Sequence, residues 1–410
     1  MMPSAQRPIK ISLLPWPGSR LALTSSCLPV LSSPMASSPL LQKKQLFHTG
    51  AHVYRIPALI YLAQHRTFLA FAEQRASTAD EKAKEIVLRR GEYKPSANLV
   101  QWQEMTVMRT AQLQGHRSMN PSPVYDETTG TLFLLFIVVP GQVSEQHQIT
   151  TKTNMARLCY VSSQDQGRTW SPATDLTNSA IGPAYKEWAT FGIGPGHGVQ
   201  LSNSSRRLVI PAYAYRILKP HKKPSPFAFC FLSDDHGQTW KMGNFTTMEN
   251  TLESQVVEVG VHGQRVLYCN SRSTHKLRVQ AVSFNDGMDF LDAQLNPTLV
   301  EPPHGCHGSV VGFPDPTQNV SDSADTWVLY SHPTNPSERE DLGIYLNRNP
   351  LDPKGWTKPA ILARGLCAYS DLQYMGPGPN GSPQFGCLFE YGNYNEILFF
   401  MFTLEQVFHS

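Results

Sequence analysis

A chain of 410 residues with a formal net charge of +3, only 16% charged residues and 40% apolar ones has ample material for a core. The near-neutral, dispersed charge gives no case for nucleic acid, and 28 Gly with 32 Pro mark a turn-rich globular protein rather than a disordered one.

Residues 1–45 differ from the rest. They are rich in Ser and Pro, and Pro15, Pro17, Arg20 and Pro29 interrupt every apolar patch. A secretory signal needs an unbroken apolar stretch of roughly 7–15 residues, and none is present. Met35 offers a second start. The expectation is a disordered N-terminal extension over 1–45, followed by one domain over 46–410.

From residue 46 onward the pattern has period two or is continuously apolar, in short runs such as Phe68–Phe71, Thr131–Val139, Arg207–Tyr215, Trp327–Ser331 and Ile397–Thr403. Gly, Pro, Asn and Asp separate the runs, as strands and turns require. Ala79–Arg90 is the one longer stretch that reads as helical. The longest apolar run, Leu132 to Pro140, falls far short of the ~20 residues of a membrane-spanning helix. Residues 314–326 and 376–382 read as polar loops. The basic cluster Lys219–Lys223 reads as a solvated loop rather than a binding patch.

One octet is written twice, as Ser163-Gln-Asp165-Gln-Gly167-Arg-Thr169-Trp170 and Ser233-Asp-Asp235-His-Gly237-Gln-Thr239-Trp240. A third copy, Ser283 to Phe290, has Asn285 for Asp and Phe290 for Trp. Asp or Asn can accept hydrogen bonds from nearby amides, Gly supplies positive φ, and the aromatic can bury its ring beside the turn. The spacing suits a unit of about four short strands, and such units pack around a common axis. A propeller is the natural closed solution.

The seven cysteines are dispersed and contain no Cys-x-x-Cys, which reads as free thiols in a reducing compartment. Four N-x-S/T sequons, at Asn203, Asn244, Asn319 and Asn380, count only if the chain enters the secretory route. No phosphate loop, H-E-x-x-H or G-x-S-x-G motif is present, and the fourteen histidines lack metal-ligand spacing. Nothing calls for a metal or a cofactor. Arg55 stands out among strand formers in Val53–Leu59. It suits an edge residue snorkelling to water and equally a fork that grips a carboxylate.

Tyr54-Arg55-Ile56-Pro57 followed by the octets resembles the exo-sialidase (neuraminidase) family, with its F/Y-R-I-P motif and Asp boxes. The resemblance extends through Phe71–Arg75, His116–Pro121, Pro211–Tyr215 and Cys367–Leu372, and covers essentially residues 40–408. Among animal sialidases the cytosolic type is most similar, the membrane-associated type next. The resemblance implies an all-β, six-bladed propeller with its site at the mouth of a central, watery channel and its Asp boxes far away. It implies a retaining exo-α-sialidase acting on glycoproteins, oligosaccharides or gangliosides.

By that resemblance Arg55, Arg272 and Arg339 grip the sialic acid carboxylate, with Glu390 and Glu73 supporting them. Tyr369 is the nucleophile, Glu253 takes its proton, and Asp80 is the acid/base. Arg75, Met119, Asn120, Glu145, Tyr213 and Tyr215 face the acylamino and glycerol ends of the sugar. His307 stands where close relatives have Gln, on the glycerol side. Without the resemblance, Tyr369 reads as a core tyrosine and Asp80 as a loop charge. Two other readings stay open: a sialic-acid-binding lectin that has lost turnover, and a propeller scaffold for protein partners. A cytoplasmic location is expected, with peripheral membrane association as the alternative.

Overall fold

The computed structural model describes residues 40–261, 263–318, 325–378 and 380–408. Blade I is built from Val53–Leu62, Thr67–Arg75, Ala83–Lys94 and Leu99–Trp102. Blade II follows with His116–Asp126, Thr131–Pro140, Arg157–Ser163 and Thr174–Asp175. Blade III is Trp188–Ile193, Leu208–Arg216, Ser225–Ser233 and Lys241–Met242, and blade IV is Thr251–Val261, Gln264–Ser273, Leu277–Ser283 and Leu291–Val300. Blade V comprises Ser309–Pro314, Thr326–Pro333, Glu340–Asn347 and the start of the long strand Ala360–Pro377. That strand leaves blade V after Leu366 and, from Cys367, opens blade VI against Pro383–Tyr391, which pairs with Glu396–Thr403.

The outermost strand of blade VI is Gln42–His48, paired antiparallel with Glu396–Met401. The folded domain therefore begins before residue 46, and residues 42–45, expected in the extension, are part of the ring. Lys43 and Lys44 point outward while Leu46 and Phe47 are buried. The polar start of this strand is what concealed it. The expectation for residues 1–39 lies outside the described residues.

Among the described residues one hydrophobic cluster sits at each blade-to-blade boundary, from I/II round to VI/I. The all-β propeller is thus six-bladed and closed. Second strands are sandwiched between neighbouring blades, which is why Thr131–Pro140 is buried along nearly its whole length and reads as continuously apolar. The helix expected over Ala79–Arg90 is instead a short turn, Asp80–Lys82, leading into the strand Ala83–Lys94. Ile86 and Val87 pair with Glu73 and Ala72, so sheet pairing overrides the local charged pattern.

Each octet forms the turn after the third strand of its blade. Gly167 N and Gly237 N donate to Ser163 Oγ and Ser233 Oγ, both at 2.8 Å, while Thr169 and Thr239 donate twice to Asp165 and Asp235. In the third copy Asn285 Nδ2 donates to Asp289 Oδ2 at 2.7 Å, an exchange of roles that keeps the turn closed. A Cβ on Gly237, whose φ is +82°, would lie 2.2 Å from Phe133 of blade II. The octets thus pin each blade against its predecessor. Antiparallel connectivity puts the third-to-fourth turns on the face opposite the starts of the first strands.

Candidate active site

At that opposite face the first strands of blades I, II and III share a device. Ile56, Asn120 and Gly194 each take positive φ (58°, 56° and 45°) immediately before Pro57, Pro121 and Pro195. A β-branched residue with positive φ is a steric outlier and needs outside support. In blades I and II the support is a carboxylate from the preceding blade, while Gly194 N donates to Pro211 O of its own blade at 2.7 Å. Ile56 N donates to Glu390 Oε1 at 2.9 Å, and Asn120 N donates to Glu73 Oε1 at 2.7 Å. The resulting bulges turn Arg55, Met119 and Asn120 toward a cavity of about 240 Å³.

Arg55 is 8% exposed, not in open water. Its Nε donates to Glu390 Oε1 at 2.8 Å and its Nη2 to Oε2 at 3.3 Å, while Tyr394 stacks under the guanidinium at 4.0 Å. The watery mouth expected for this residue is a buried ion pair, because Glu390 also holds the bulge. Glu390 is fully buried and receives Tyr369 N as well, at 3.2 Å. It holds the clamp in place and stands behind the cavity wall.

Arg272 Nη1 donates to Glu253 Oε2 at 2.5 Å and to Tyr369 Oη at 2.8 Å, and its other nitrogens reach His304 O. Arg339 donates to Gly305 O at 2.9 Å and to Tyr394 Oη at 3.3 Å. Among the described residues it has no carboxylate partner within ion-pair distance. Its guanidinium and that of Arg55 lie 5.5 and 5.7 Å from the Tyr369 ring centre. Three cations thus converge on one phenol, with fewer carboxylates than the positive charge calls for. An anion fits there.

Tyr369 Oη donates to Glu253 Oε1 at 2.5 Å. Burial pushes the phenol well above its usual range against the pull of Arg272, so the resting group is neutral. Across the cavity Asp80 is half exposed and receives Arg75 Nη1 at 2.6 Å. Burial alone would raise its carboxyl, but Arg75 brings it below the usual range.

Arg75 is fully buried, with Nε and Nη2 on Glu73 and Nη1 shared by Asp80 and Thr78 O. Four of its five N–H donors are committed in this way, so it anchors Asp80 from the cavity wall. Glu145, in the first turn of the helix Glu145–Thr151, accepts Tyr213 Oη at 3.3 Å. Burial and the like charges of Asp80 and Glu253 push its carboxyl up to about 7. Tyr213, Tyr215, Met119 and Asn120 complete the wall.

His307 does not line this cavity. It is fully buried with both ring nitrogens unpaired, 5.3 Å from the Tyr369 ring, and burial keeps it neutral. Its expected place as a glycerol contact gives way to one behind the nucleophile. The sequence reading missed Tyr394, Arg117 and the carbonyls of His304 and Gly305. Arg117 lines the cavity and donates to Gly141 O and Val143 O, fixing the loop before Glu145. Only the Tyr394 position carries a trace, in the turn-rich Tyr391–Asn395.

A BNR repeat-like domain model matches residues 66–379. The chain is 60% identical over 374 residues to Sialidase-2 of Mus musculus, covering 91% of this chain and 98% of that one. Sialidase-3 of Homo sapiens is 43% identical, with 86% and 90% covered. Among solved structures, the Hadza microbial sialidase Hz136 aligns with a TM-score of 0.71 at 23% identity, covering 87% of this chain and 66% of that one. The NanB sialidase of Streptococcus pneumoniae aligns at 0.69 and 17%, covering 91% and 72%. These two likenesses speak for the fold. The identity to the animal proteins, nearly end to end on their side, carries the assignment: the chain belongs to the sialidase family of glycoside hydrolases.

Proposed function

We infer that the protein is a retaining exo-α-sialidase releasing terminal sialic acid from glycoproteins, oligosaccharides or gangliosides. The observation that carries this reading is the convergence of Arg55, Arg272 and Arg339 on Tyr369, whose hydroxyl is 2.5 Å from Glu253. Sialic acid bears an ionised carboxylate on its anomeric carbon, so a carboxylate nucleophile would be repelled. A neutral phenol, deprotonated as it attacks, avoids this. Glu253 accepts the phenol proton and Arg272 stabilises the developing phenolate. Asp80, ionised at rest beside Arg75, takes up a proton as the anionic substrate binds and gives it to the departing oxygen. It then takes one from water as that attacks the tyrosyl-linked sugar, while Glu253 returns the phenol proton to Tyr369. Lectin and scaffold readings would not need the tyrosine, its base and a carboxyl across the cavity together.

Purified protein should release the fluorophore from an aryl α-sialoside, and the first-formed sugar should be the α-anomer by proton NMR. No release, or first formation of the β-anomer, overturns the mechanism.

No helix among the described residues is long and apolar enough to cross a membrane. Six buried cysteines are free, which supports a reducing cytoplasmic setting. The protein is then unglycosylated at its sequons, and a mass shift on enzymatic deglycosylation would overturn that placement.

A further inference from the structure

Two of the three clamp arginines are held by one short turn. Arg272 donates to His304 O at 3.0 and 2.7 Å, and Arg339 to Gly305 O at 2.9 Å. The turn runs Pro302-Pro303-His304-Gly305, closed by Gly305 N to Pro302 O at 2.8 Å. His304 and Gly305 both take positive φ, 64° and 69°. A Cβ on Gly305 would lie 2.8 Å from Arg272 Cγ, so the arginine stem rests directly on this turn.

The turn is anchored from below by Glu301, which is 1% exposed. Its Oε1 accepts Ser273 N at 3.0 Å, next to Arg272, and Arg278 Nη1 at 2.9 Å. Its Oε2 accepts Cys306 N at 2.9 Å and lies 3.1 Å from His332 Nε2. Arg278, fully buried, also donates to Cys306 O at 2.7 Å. One carboxylate thus ties both ends of the turn to the strand that carries Arg272. Burial alone would raise its pKa, but Arg278 and His332 hold it down at about 2, so it is ionised.

We propose that Glu301 is a positioning residue for carboxylate recognition, acting through the 302–306 turn whose carbonyls aim Arg272 and Arg339. The inference rests on the proposed sialidase reading, since it presumes that the clamp grips a carboxylate. Among the described residues the hydrogen-bond acceptors of the Arg339 guanidinium are one carbonyl and one phenol oxygen, so the turn is what fixes its fork.

The test compares binding of a 2,3-unsaturated sialic acid and its C1 amide, which keeps the shape but lacks the charge. In the Glu301→Gln variant, affinity for the acid should fall about tenfold, the worth of one weakened charge-assisted contact. Affinity for the amide should change by less than about twofold, and KM should rise more than kcat falls. Should Glu301→Gln not fold, Pro303→Gly tests the same point without touching a buried charge. Pro303 is exposed, and its loss loosens the turn, so the acid alone should bind less tightly. Equal losses for both probes, or none for either, overturn the proposal. A parent protein that does not discriminate acid from amide overturns the clamp reading itself.

Discussion

Tyr369 and Glu253 share a 2.5 Å hydrogen bond in which the phenol donates, and Arg272 Nη1 bridges both partners. The proton acceptor and the group that stabilises the phenolate are therefore in place before substrate arrives. Replacing Tyr369 with Phe removes only the reacting oxygen. Turnover should fall by about 10³-fold or more, while the 2,3-unsaturated acid should still bind. Activity within about tenfold of the parent would take the nucleophile role away from Tyr369.

Arg55→Lys keeps the charge and loses the fork. Because Glu390 holds Arg55, Ile56 N and Tyr369 N together, the substitution should weaken the fold as well as the ligand. Losses of about 1–3 kcal/mol in stability and roughly tenfold in acid affinity are expected. Calorimetry and inhibitor titration read the two separately. Unchanged affinity in a folded variant would remove Arg55 from the clamp.

In the first chemical step, which kcat/KM reads, Asp80 matters only where the leaving group needs a proton. Asp80→Asn should cost about 10²–10⁴-fold on an alkyl sialoside and far less on an aryl sialoside with an acidic phenol. Equal losses on both substrates would show that Asp80 is not the acid.

Glu145 gives a pH signature. Its carboxyl, raised to about 7 in the folded state, stays protonated where the unfolded chain has already ionised. Its contribution to stability is complete below about pH 4.5 and is lost as pH rises through about 7. Glu145→Gln should therefore gain on the parent as pH rises from 5 to 8, by about 1–3 °C in Tm. A difference in Tm that does not vary with pH would refute the raised carboxyl.

The octets are structural, and Gly237 shows it. In Gly237→Ala the new methyl would meet Phe133 at positive φ, costing about 1–3 kcal/mol. The kcat of the folded fraction should be unchanged. A selective loss of kcat would mean that the octet communicates with the site.

The sequence by itself determined the repeating unit, because Ser-x-Asp-x-Gly-x-Thr-Trp closes its own turn within eight residues and so survives as a local pattern. Arg55 also stood out there, as a lone cation among strand formers, whereas Tyr369, Glu253 and Asp80 were legible only through family resemblance. Tyr369 and Glu253 are 116 positions apart, and no spacing rule links them. What only the tertiary structure decided are the contacts made between blades. Gln42–His48 became a strand through pairing with Glu396–Met401, some 350 residues away. Glu390 and Glu73 support bulges in the blade that follows their own. Glu301 reaches Arg339 through a carbonyl of an intervening turn, and Arg272 through that turn and the neighbouring Ser273 N. Main-chain carbonyls are the same at every residue, so where they point is written in the ring's closure and not in the letters of the chain.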